Sequence, residues 1–130
     1  MKTNEINRIA SKIKKDNDVL AIVLFGSAAR DQLTPLSDID ICVVLRESFK
    51  NKHALFRKRI KYISYAPDKF DVQIFQLLPL YIKIMIFKEG RILYCRNKKE
   101  LYNTAFKTMK EYSLFKPHLL TYLEGVSHGA

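Results

Sequence analysis

The chain is short of acid, of glycine and proline, of cysteine and of long apolar runs. Asp and Glu number 13 against 23 Lys and Arg, a net charge of +10 with His neutral. That balance favours acidic partners, such as nucleotide phosphates, nucleic acid or an acidic protein surface, without choosing among them. Four Gly and four Pro are too few for a linker-rich protein. No apolar run approaches the roughly 18 residues that a membrane span needs. The longest are Val19–Gly26 and Leu77–Phe87, the latter broken by Pro79 and Lys83. No membrane partner is expected. Met1–Glu5 has no apolar stretch behind it, which argues against a secretory signal. Cys42 and Cys95 are the whole cysteine content and lie in apolar, strand-like stretches. Two free thiols in a reducing compartment are the expectation, which places the protein in the cytoplasm.

What is present describes one folded domain over residues 1–130, with residues 126–130 expected to be disordered. Hydrophobic residues make up 48% and charged residues 28%, which argues against a disordered, coiled-coil or collagen-like chain. No internal repeat is visible. Ile6, Ile9, Ala10 and Ile13 recur at helical spacing within a first helix from Glu5 to Lys15. Val19–Phe25 is a continuous branched apolar run, as in a strand buried on both faces. Gly26–Ser37 is a polar loop with room for a short helix after Ser27. Asp38–Leu45 reads as a second strand and Phe70–Leu78 as a third. Between them, residues 49–63 read as a helix with Phe49, His53, Phe56, Ile60 and Ile63 along a buried stripe. Leu80–Glu89 is a short helix stopped at Gly90, and Arg91–Cys95 a fourth strand. Residues 98–116 form a last helix on the stripe Leu101, Ala105, Met109, Tyr112 and Phe115, interrupted by Pro117. Strands alternating with helices indicate an α+β (α/β) domain with a small mixed sheet of about four strands flanked by helices.

The chemistry concentrates between Leu24 and Val44. Gly26-Ser27 follows a buried strand directly. Glycine there allows a sharp turn and close approach to a ligand. A helix starting after Ser27 would aim free amides and its positive end at the same point, a natural phosphate site. Ser27 can add a hydrogen bond and Arg30 a positive charge. Gly-Ser pairs are mostly plain turns, so this feature is weak alone. Asp38 and Asp40 sit two apart at the head of a strand. Side chains alternate along a strand, so both carboxylates point to one face, with Cα atoms about 6.6 Å apart at ~3.3 Å per residue. Such a pair can hold one hard cation or bridge two about 3.5–4 Å apart. Turn chemistry accounts for Asp38 but not for Asp40. Asp71, at the head of the third strand, joins them if that strand lies beside Asp38–Leu45. Three carboxylates beside a phosphate cradle suit two-metal phosphoryl transfer, with Mg²⁺ favoured by hardness and Mn²⁺ also suited. His53, His118 and His128 are scattered and support no zinc site, and there is no P-loop or Ser-His-Asp pattern.

Gly26-Ser27, ten residues, then Asp38-x-Asp40 resembles the GS-x10-DxD motif of the nucleotidyltransferase superfamily that includes DNA polymerase β. The short length resembles its minimal nucleotidyltransferase (MNT) branch, and the resemblance extends over about residues 19–115. It implies the polymerase β-like fold. It implies that Gly26 and Ser27 hold the triphosphate, that Asp38 and Asp40 bind both metals, and that Asp71 binds the catalytic metal and helps deprotonate the attacking hydroxyl. One departure is Asp31, which follows Arg30 where the family often has Gly and adds negative charge beside the phosphate loop. The resemblance further implies an antitoxin paired with a HEPN-domain toxin, transferring AMP from ATP to a tyrosine of that toxin. A non-catalytic antitoxin acting by occlusion, and transfer to an RNA end or a small molecule, are the alternatives. Intact Asp38, Asp40 and Asp71 favour catalysis.

At 130 residues, none of the extra domains of template-directed or RNA-specific relatives is expected, and the acceptor site is expected to be shared with a partner or a second subunit. Arg46, Lys50, Lys52, Arg57, Lys58, Arg59 and Lys61 face only Glu47 between residues 46 and 61, a local charge of 7 − 1 = +6. That stretch reads first as a solvated helix face, next as contact with an acidic protein, and last as an RNA surface.

Overall fold

A computed structural model describes residues 2–26, 29, 38–49 and 51–128, with side chains described from 4 to 114. Its elements are α1 (Lys2–Ile13), β1 (Val19–Phe25), β2 (Ile39–Leu45), α2 (Lys52–Ile63), β3 (Phe70–Ile74), α3 (Leu80–Glu89), β4 (Arg91–Cys95) and α4 (Lys98–His128). The four strands form one mixed sheet in the order β3-β2-β1-β4. β1 runs antiparallel to both its neighbours, and β2 and β3 are parallel.

The sheet is covered on both faces, as the apolar run of β1 requires. Ile22 and Leu24 of β1 and Ile39, Ile41 and Val43 of β2 face one cluster with Ile9 and Ile13 of α1 and Leu55 and Tyr62 of α2. Val23, Cys42 and Val44 face the other with Ile86 of α3 and Leu101 of α4. A bulge between Val19 and Ala21 shifts the β1 register, so Leu20 and Ala21 fall on the same side. Neither cysteine is in a disulfide, and burial pushes the Cys42 thiol pKa up, which makes it a poor nucleophile.

The structure corrects the sequence reading at β3, α2 and α4. β3 ends at Ile74, and Phe75–Leu77 forms a single 3-10 turn instead of more strand. The Gln76 side chain replaces the missing pairing: its amide donates to Leu45 O at 2.7 Å and accepts from Leu45 N at 3.2 Å. α2 starts at Lys52, because Asn51 caps it by accepting from Ala54 N. Its buried face carries Leu55 and Tyr62, whereas Phe56, Ile60 and Ile63 are 53%, 68% and 40% exposed. The expected stripe is therefore the outer face. Among the described side chains of α4 the buried positions are Leu101, Thr104 and Thr108, and Met109 is exposed, while Phe115 lies outside them. The threonines are tolerated because each hydroxyl donates to the carbonyl four residues back. Finally, α4 continues to His128 through Pro117, where an interruption is expected. Proline removes one backbone hydrogen bond, which a helix of 31 residues absorbs.

Candidate active site

β1 and β2 bring Gly26 and Asp40 together. Phe25 pairs with Asp40 across the two strands, so the residue after Phe25 lies over the Asp40 carboxylate. Gly26 has φ +69°, and a Cβ there would collide with Asp40 Oδ2. Only glycine meets both demands. Ser27, Arg30 and Asp31, with the short helix expected after Ser27, lie outside the described residues. Arg91, at the start of β4, reaches toward this segment and donates from Nη2 to Ala29 O at 3.4 Å. The sequence reading missed this second cation, because only the β1–β4 pairing reveals it.

Parallel pairing places Asp71 directly beside Asp40. Asp40 shares its face with Cys42 and Val44, while Ile39 and Ile41 fill the opposite core. Asp38 is exposed just before β2. Asp40 registers both neighbours. Burial, then the charge of Asp71, then that of Asp38, push its carboxyl above the ordinary value. Asp71 is already engaged: Gln73 Nε2 donates to its Oδ1 and Oδ2 at 3.0 and 3.2 Å. Arg59 Nη2 stands 3.7 Å from Oδ1, and Arg59 Nε donates to Val72 O at 3.0 Å. Gln73 was not singled out from sequence, and Arg59 was named only as part of the basic stretch 46–61, not as a site residue. A same-face residue two along a strand was a readable signal for Gln73, and none existed for Arg59.

Among the described residues, no three Asp, Glu, His or Cys side chains already stand as a metal-binding group. The donor set nonetheless fits a hard divalent cation. It is all oxygen, it gathers three carboxylates at neighbouring strand heads, and its mutual repulsion calls for positive charge. Beside Gly26 a cleft of about 210 Å³ is lined by Phe25, Gly26, Ile82, Met85, Ile86 and Glu89.

This geometry has a counterpart among known proteins. Residues 7–99 match the family described as Polymerase beta, Nucleotidyltransferase. The chain belongs to that family of nucleotide-transferring enzymes. A protein of Methanocaldococcus jannaschii, provisionally named a protein adenylyltransferase, is 36% identical over 76 residues. That match spans 58% of this chain and 56% of the relative, so the two correspond over little more than half their lengths. The fold resembles a toxin–antitoxin structure with AMP-PNP at a TM-score of 0.73, 20% identity, and 93% and 98% coverage of the two chains. It also resembles a chain in the complex of a tri-AMPylated Shewanella oneidensis HEPN toxin with its MNT antitoxin. There the TM-score is 0.70, the identity 21% and the coverage 98% and 99%. The polymerase β-like fold is therefore that of the minimal nucleotidyltransferases. No helix among the described residues is long and apolar enough to cross a membrane.

Proposed function

We propose that this chain transfers AMP from ATP to a hydroxyl of a partner protein, a tyrosine of a HEPN-domain toxin, with release of pyrophosphate. The observation that carries this reading is the direct pairing of Asp40 with Asp71, with Gly26 turned over Asp40. The family match and the relative named for protein adenylylation support it. The AMPylated toxin and the AMP-PNP complex among proteins of the same fold point to the acceptor class and the donor.

Each residue has a task. Gly26 keeps the backbone close to the carboxylates, so the triphosphate can lie against the loop it opens. Ser27 and Arg30 follow it in sequence as phosphate ligands. Arg91 adds charge from β4. Asp38 and Asp40 would hold two Mg²⁺ ions, or Mn²⁺, with Asp71 holding the one nearest the acceptor. Bound there, such ions supply charge neutralisation at the phosphates and acidify the attacking hydroxyl. Asp71 takes the acceptor proton as the new O–P bond forms at the α-phosphorus and the bond to pyrophosphate breaks. Gln73 fixes the Asp71 carboxylate for that role. The cleft lined by Ile82 and Met85 offers an apolar wall for the base.

The test is label transfer from α-labelled ATP with Mg²⁺ to a HEPN-domain protein co-expressed with this chain, the product of the adjacent gene being the first candidate. Label on a partner tyrosine with the wild type, and none with Asp38→Asn/Asp40→Asn, is the expected result. A stable, inhibited complex without label would establish the non-catalytic antitoxin instead. Label on RNA or a small hydroxyl compound, and none on the partner, would redirect the acceptor.

A further inference from the structure

The outer face of α2 is apolar where a solvated helix should be polar. Phe56, Ile60 and Ile63 are spaced four and three apart and form one exposed stripe. Single exposed apolar side chains are ordinary, but an aligned row is not, and α4 carries a rival row in Tyr102, Phe106 and Met109 that lacks the link to Asp71 made by Arg59. At 100° per residue, Arg59 lies on one flank of this row and Arg57 and Lys61 on the other. Lys52 sits at its N-terminal end. α2 carries five cations and no acid.

Part of this charge is occupied within the fold. Lys58 Nζ binds Asp16 Oδ2 at 2.6 Å and Asp18 Oδ2 at 2.9 Å. Arg46, just outside the helix, binds Glu100 at 3.1 Å. Lys52 and Arg57 are exposed and have no acidic partner among the described residues. Arg59 joins the row to the candidate active site, since it reaches both Val72 O and the Asp71 carboxylate. β3 is an edge strand, so nothing of the sheet lies beyond it on this side. A surface that begins at the proposed base and runs outward along α2 is placed where an acceptor must approach.

We infer that this face of α2 is the docking surface for the acceptor protein, and that it takes an acidic surface with an apolar centre. The inference rests on the protein-acceptor reading above. A second copy of this chain fits poorly, because a two-fold contact would bring two acid-free α2 faces together in a protein of charge +10. RNA also fits poorly, since two of the three apolar residues are aliphatic and offer no ring for base stacking.

The test compares Phe56→Asp/Ile60→Asp, Lys52→Glu/Arg57→Glu and Phe106→Asp, which disrupts the rival exposed row on α4. Binding to the HEPN-domain protein used in the label-transfer test is measured by calorimetry, ATP binding separately, and folding by thermal melting. All altered positions are exposed, so native melting is expected. Each α2 variant should weaken the complex at least tenfold and leave ATP affinity unchanged, while Phe106→Asp binds as wild type. Wild-type affinity in both α2 variants, or loss confined to Phe106→Asp, overturns the inference. So does absence of a complex with the wild type, self-association lost in the α2 variants, or RNA bound in place of protein. If label transfer fails but the complex still depends on α2, catalysis is refuted and the docking surface stands. If transfer persists undiminished in the α2 variants, the docking surface falls and catalysis stands.

Discussion

Replacing Asp40 by Asn should make this protein more stable and inactive at once. Asp40 is half-buried, and both Asp71 and Asp38 raise its carboxyl pKa by repulsion. Paired positions on adjacent strands are about 4.8 Å apart. Two unit charges at that separation repel by roughly 1 kcal/mol in water and about 3 kcal/mol at an effective dielectric of 20. The site is open to solvent, so the low end applies. Asp40→Asn removes that term while keeping the shape of the side chain. About 1 kcal/mol in a domain of 130 residues corresponds to a Tm increase of roughly 3–5 °C. Calorimetric melting at pH 7 in metal-free buffer measures it. The same repulsion predicts the response to metal. Mg²⁺ at ten times its dissociation constant should stabilise the wild type by about 1.4 kcal/mol, and Asp40→Asn by much less. A lower Tm for Asp40→Asn without metal, or equal Mg²⁺ stabilisation of both proteins, would refute the argument that these carboxylates form one charged cluster.

Three further outcomes are expected. Gly26→Ala places a Cβ against Asp40 Oδ2 at φ +69°; it should lose label transfer and melt lower, since left-handed backbone alone costs roughly 1–2 kcal/mol for such a residue. Asp16 accepts from Lys58 and from the fully buried Tyr62, each at 2.6 Å, so Asp16→Ala should cost about 2 kcal/mol or more in denaturant unfolding. Burial alone would raise the Asp16 pKa, but the hydrogen bonds from Lys58, Tyr62 and the Asp18 amide outweigh it and hold the carboxyl below its ordinary 3.8. Its stabilisation is thus complete above that value and lost as pH falls through the lowered one, so acid titration of stability should be steeper in the wild type than in Asp16→Ala. Gln73→Leu removes the donor from both oxygens of Asp71; transfer should slow at least tenfold in kcat with little change in ATP KM, and an unchanged kcat would remove Gln73 from its positioning role.

Local pattern alone determined the extents of β1, α3 and β4 and the burial of Ile6, Ile9 and Ile13. Each has a strong local signal: a continuous branched run, a glycine stop, or a repeat at helical spacing. The spacing from Gly26 to Asp38 and Asp40 was likewise legible, because those residues are close along the chain. Asp71 was legible only as a condition on strand order, and the parallel β2–β3 pairing is tertiary information. Arg91 and Arg59 were not legible at all. Their roles depend on which strand β4 joins and which edge α2 covers. The inverted face of α2 and the threonine face of α4 failed for a shared reason. Hydrophobic spacing gives a helix its stripe, but only packing decides whether that stripe meets the core, and a threonine that bonds its own backbone can take the buried place instead.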